Sequence, residues 1–189
     1  MRNGGKIIGN CWTKKRNLNF SLIPLAHSPK NHYLSRMKTD IKITIPTGSI
    51  EQAEVIALLI MKAMNYECCR YFAGERHNLE DFHEMMTQLV MRKDTQYSYL
   101  NTIVAMDGKR TVGALVSYDG SQLHRLRKPF IDMEAKMLNG DFSNMDDETT
   151  EGELYLDSLA VDDDYQHQGI ATALIKAGIA KAHLMNIKP

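Results

Sequence analysis

Apolar and polar positions alternate through Ile41-Lys42-Ile43-Thr44-Ile45, and Pro46 closes the run, which predicts a half-buried strand. Beyond it the period lengthens. Ser49 stands where a helix N-cap belongs, with Glu51 and Gln52 behind it, and Ile50, Ala53, Ala57, Ile60, Met61 and Met64 share one face of a helix ending near Met64. Leu79, Phe82, Met86, Leu89 and Val90 repeat that spacing in a second helix starting near Asn78. Two apolar, β-branched runs, Tyr99 to Met106 and Thr111 to Tyr118, flank Asp107-Gly108 and predict a hairpin. Gly113 inside the second run marks a bulge or a close backbone approach.

Between Asp119 and Gly152 the periodicity lapses. This stretch holds a basic cluster, His124-Arg125-Leu126-Arg127-Lys128, a short helix near Phe130 to Leu138, and the acidic tract Asp146-Asp147-Glu148. A connection of that length is functional or disordered. Glu153 to Val161 then reads as a strand, and Ile170 to Met185 as a helix about 24 Å long at ~1.5 Å per residue. Its buried stripe is Ala171, Leu174, Ile175, Gly178, Ala182 and Met185, whose small members permit close packing on a sheet. The order β-α-α-β-β-(insertion)-β-α describes an α+β domain with a largely antiparallel sheet.

Composition adds a boundary and a class. The chain of 189 residues suits one domain, and 43% hydrophobic with 24% charged residues is ordinary for a soluble globular protein. The zero net charge conceals an asymmetry: residues 1–36 carry seven Lys and Arg and no acid, leaving 16 basic against 23 acidic residues in the rest. Residues 1–36 also lack either period and are punctuated by glycine and proline, so they read as a basic, disordered extension, with Met37 opening a domain over 37–189. A nucleic-acid arm there is disfavoured, because only Trp12, Phe20 and Tyr33 could stack on bases. Three cysteines without disulfide or zinc spacing point to a reducing, cytoplasmic setting, and no apolar run reaches the ~18 residues of a membrane span.

The chemistry concentrates at Tyr165-Gln166-His167-Gln168-Gly169-Ile170-Ala171-Thr172, a polar turn between the last strand and the last helix. The first amides of a helix have no partners within it, and the dipole places positive potential there. With no side chain at Gly169, a phosphate can come close to them, and Gln166 and Gln168 offer further amide donors.

LYLDSLAVDDDYQHQGIATALIKAGIAKA, with Leu156, Leu159 and Val161 ahead of the turn, resembles the acetyl-coenzyme A motif of the GCN5-related N-acetyltransferase (GNAT) superfamily. The resemblance implies the acyl-CoA N-acyltransferase fold, a mixed, mostly antiparallel sheet flanked by helices. It implies acetyl-CoA as cosubstrate and transfer of an acetyl group to a primary amine by direct attack. Leu159, Ala160 and Val161 would line the pantetheine arm, while Gln166, His167, Gln168, Gly169, Ile170, Ala171 and Thr172 would surround the pyrophosphate. Two departures stand out: the long stretch 119–152, and an end at Pro189 before the family's further C-terminal strands, which makes the chain look truncated.

Asp157 is the candidate base, since simple alternation puts it on the strand face of Leu159 and Val161. Asp162-Asp163-Asp164 lacks the spaced oxygens of a calcium loop and reads as a solvated turn, and no metal is expected. Glu75, Glu80 and Asp81, or the 146–148 tract, could attract a cationic acceptor, although a solvated face explains each as well. The acceptor, small molecule or protein, and a homodimer stay open. The alternative from another class is a non-catalytic CoA-binding or interaction domain of the same fold.

Overall fold

The computed structural model describes residues 40–187. The expected extension at residues 1–36 lies outside them. Strand β1 (Ile41–Thr44) pairs with β2 (Thr102–Asp107), β2 with β3 (Arg110–Asp119), and β3 with β4 (Leu154–Val161), every pairing antiparallel in the order β1-β2-β3-β4. Helices α1 (Ile50–Met64), α2 (Tyr66–Ala73) and α3 (Leu79–Met91) cover one face, and α5 (Ile170–Leu184) covers the other.

Local chemistry sets the helix limits. Ser49 Oγ accepts the Gln52 N–H at 3.3 Å, while Gln52 Oε1 accepts from the Thr47 N–H at 2.6 Å, so cap and first turn satisfy each other. Asn78 and Asp81 form a reciprocal capping box at the start of α3. Helix α2 was not foreseen. Asn65, at φ +70°, ends α1 and at once caps α2 by accepting the Cys68 N–H at 2.9 Å, and two turns are too short for a clear period. On α1 the buried face includes Ile56 and not Ile50, which is exposed.

The hairpin turns on Gly108 and Lys109, with Asp107 and Arg110 as the last pair. Strand β2 starts at Thr102 because Tyr99–Asn101 form a single 3-10 turn. Gly113 answers both sequence expectations: the register slips opposite it, between Ala105 and Met106, and a Cβ there would lie 3.2 Å from the Ala160 carbonyl and 3.3 Å from Leu174.

The largest departure is the insertion, which is ordered. Its helix, α4 (Leu123–Met133), begins seven residues before Phe130 and continues into a π-helical turn at Glu134–Leu138. Pro129 inside α4 reads as a helix breaker, yet the helix keeps its course because Leu126, Phe130 and Met133 are buried. Phe130 and Phe142 meet Phe72 edge-on at 5.4 and 4.7 Å, so the insertion shares the main core.

Candidate active site

Strand β4 ends at Val161, a 3-10 turn covers Asp163–Tyr165, and α5 begins at Ile170. His167 at φ +58° and Gly169 at φ +82° bend the chain so that no side chain caps the helix. The Ala173 N–H already bonds the Gly169 carbonyl at 3.0 Å, which leaves the amides of Ile170, Ala171 and Thr172 without helical partners. They border a cavity of about 320 Å³ lined by Val161, Tyr165, Gln166, His167, Gly169, Ile170, Ala171 and Thr172. Uncapped amides, a left-handed glycine and an open cleft suit the phosphates of a coenzyme.

Gln166 and Gln168 have another task than the one the sequence gives them. Gln166 Nε2 donates to Asp163 Oδ1 at 2.7 Å and Gln168 Nε2 to the Asp164 carbonyl at 3.1 Å, so both amide nitrogens brace the turn. The triple aspartate is also more than a solvated turn. Asp162 accepts from Arg110 at 2.9 Å, and Asp163 accepts from Lys62 at 2.7 Å. Arg110 further lies 5.3 Å over the Tyr165 ring, whose hydroxyl donates to Asp107 at 2.7 Å. The hydrogen bond to Asp162 raises the Arg110 pKa further. These cations offset carboxylates that would otherwise repel a bound phosphate. Lys62 and Arg110 lie roughly 100 and 50 residues before the turn, and no local pattern announces either.

Leu159 and Val161 pack toward α5 with Ile170 and Leu174. Ala160 faces the core of α1 to α3. Asp157 does not share the face of Leu159 and Val161, because Val116 pairs with Ser158 and Ser117 with Leu156, leaving Asp157 as the extra residue of a β-bulge. The bulge interrupts alternation and turns Asp157 toward the helices that precede β2. There it is 4% exposed and accepts from Ser158 Oγ at 2.7 Å. Burial, and then the charge of Asp157, pushes the hydroxyls of Tyr97, Tyr118 and Tyr155 well above the usual tyrosine range.

The acidic tract of the insertion divides: Asp146 and Asp147 are exposed, as on a solvated face, and Glu148 is not. The Glu148 side chain is 7% exposed, accepts from Arg127 Nη2 at 3.1 Å and from the Tyr155 hydroxyl at 2.6 Å. Gln96, Tyr97, Tyr118 and Tyr155 carry no motif, and only the fold brings them beside the bulge. Among the described residues no three His, Cys, Asp or Glu side chains gather as a metal would require, and no helix is long and apolar enough to cross a membrane.

Two solved structures share the fold. One is described as an acetyltransferase, is 19% identical with a TM-score of 0.63, and is matched over 77% of this chain and 76% of its own. The other, an N-acetyltransferase from Staphylococcus aureus Mu50, is 17% identical with a TM-score of 0.57, over 74% of this chain and 75% of its own. No curated protein is similar enough to match. The model of the acetyltransferase (GNAT) family matches residues 61–188, from the end of α1 through the bulge, the turn between β4 and α5, and α5 itself. The chain belongs to the GNAT acetyltransferase family, whose enzymes carry out acyl transfer.

Proposed function

We propose that this enzyme moves an acetyl group from acetyl-CoA to a primary amine. The observation that carries the reading is the row of uncapped amides at the start of α5, opening on the cleft beside the end of β4. The N–H groups of Ile170, Ala171 and Thr172 receive the pyrophosphate, Gly169 lets it approach, and Leu159 to Val161 line the way to the bulge. The thioester supplies an activated acetyl group, so that a C–N bond forms as the C–S bond breaks. Asp157 accepts the proton that the amine loses, and burial beside three tyrosines keeps this carboxylate away from bulk water.

The test is calorimetric titration of CoA into the full chain, with Gly169→Glu as control and circular dichroism to verify folding. Binding that the control abolishes, with thiol release when acetyl-CoA and an amine panel are supplied, is the expected result. A folded chain that binds no CoA overturns the reading. Binding with no release for any amine would favour the non-catalytic alternative.

A further inference from the structure

On the sheet face away from α5, the bulge of β4 borders a buried polar cluster that coenzyme binding leaves unexplained. Two carboxylates, Asp157 and Glu148, lie among the hydroxyls of Tyr97, Tyr118 and Tyr155, all three of which feel both charges. Tyr118 and Tyr155 meet edge-on with centroids 5.6 Å apart. Gln96 completes the group beside Tyr97.

One member carries a polar atom with no hydrogen-bond partner: the hydroxyl of Tyr118, a residue 2% exposed. Gln96, 1% exposed, engages Tyr97 with its carboxamide but makes no hydrogen bond of ordinary geometry. Native proteins rarely bury such groups without a purpose, and a ligand that completes them is one. The ligand's charge follows from the balance of its surroundings: buried Arg127 offsets Glu148 at 3.1 Å, and the second carboxylate, Asp157, with the negative faces of the tyrosine rings favours a cation.

Its size follows from the roof. Residues 139–153 close over the cluster through Glu148 to Arg127 at 3.1 Å, His124 to Asp147 at 3.1 Å, and the Gly120 N–H to the Glu153 carbonyl at 2.9 Å. A lysine on a folded protein would have to displace this strap. A small molecule needs only the Glu148 contacts to yield.

We propose that the cluster of Asp157, Glu148, Gln96, Tyr97, Tyr118 and Tyr155 is the acceptor pocket, and that it takes a small, cationic alkylamine. Asp157 and Glu148 receive the ammonium, and Gln96 and Tyr118 supply hydrogen bonds. The word acceptor rests on the acetyl-transfer reading; the cation pocket does not.

Calorimetry on the full chain without coenzyme tests this, using 1,4-diaminobutane and n-butylamine as probes, 1-butanol as the neutral isostere, and a lysine peptide as the competing class. Both amines are expected to bind and butanol not to. Asp157→Asn should weaken binding about tenfold or more, and Tyr118→Phe by a few-fold. Tyr118→Phe is the informative variant, because deleting an unsatisfied hydroxyl should leave the melting temperature unchanged or higher while still costing affinity. No amine binding by a folded chain that binds CoA overturns the pocket, as do affinities unaffected by both substitutions. A lysine peptide that binds tighter than the diamine overturns the small-molecule assignment. Diamine binding by a folded chain that ignores CoA would uphold the pocket and overturn the acetyl-transfer reading alone.

Discussion

Lys62 on the last turn of α1 reaches Asp163 at 2.7 Å and the Val161 carbonyl at 3.0 Å, joining the first helix to the turn between β4 and α5 across about a hundred residues. The pair is half in solvent, with side-chain exposures of 29% and 82%, so its effect on stability is small. Its effect on the neighbouring cleft is larger, because unpaired Asp163 presents its charge to an incoming phosphate. Lys62→Met should weaken CoA binding several-fold, and Asp163→Asn in that background should restore much of the loss. A double-mutant cycle read by calorimetry at low and high salt checks this, and equal affinity for Lys62→Met and wild type would rule it out.

Gly169 holds φ +82°, where a side chain is strained. Gly169→Ala should cost about 1 kcal/mol of stability, a fall in melting temperature of roughly 2–4 °C for a domain of this size. Because the same backbone aims the α5 amides, CoA affinity should fall with it, whereas Gly108→Ala in the hairpin turn at φ +58° should lower stability and spare the affinity.

Glu134 is fully buried in the π-helical turn, neither carboxyl oxygen has a hydrogen bond, and burial raises its pKa to about 8. The folded state therefore holds this proton more tightly than the unfolded state. The contribution of Glu134 is intact below the ordinary carboxylate pKa of ~4.5 and is lost as pH climbs toward about 8. Glu134→Gln should flatten that decline and stabilise the protein at pH 8 by roughly 3 kcal/mol. Urea melts at pH 5.5 and pH 8 for both proteins supply the comparison, and parallel pH profiles would contradict the assignment.

Gly120 is where β3 hands over to the insertion. A Cβ there would overlap the Thr150 carbonyl and lie 2.5 Å from Thr149 Oγ1. Gly120→Ala should lift the strap from the sheet at a cost of about 2–4 kcal/mol. Hydrogen exchange would locate the loss in residues 139–153 before it appears in β1 or β2, and uniform protection would show that the strap is not a separate unit.

Where neighbours in sequence are neighbours in space, the chain could be read directly. The Ser49 cap, the Asn78 start, the hairpin at Gly108 and the α5 N-terminus each depend on residues within a few positions of one another. Alternation failed at the bulge, because a single extra residue in β4 is recorded only in its pairing with β3. The start of α4 ahead of Phe130 was not legible for a related reason: the helix-breaking tendency of Pro129 is local, and the burial of Phe130 that outweighs it comes from Phe72 and Tyr97, far away in the chain.

The sequence by itself determined the four strands, the helices α1, α3 and α5, their order, and a helix start stripped of side chains and suited to an anion. Backbone propensity, capping and the dipole act over a few residues, so they are written in the local order of amino acids. The tertiary structure alone decided which charges guard that turn, which way Asp157 faces, and what lies opposite it. Lys62, Arg110, Glu148 and the three tyrosines acquire their roles by meeting across the sheet, since Coulomb forces and burial depend on distance in space and not along the chain.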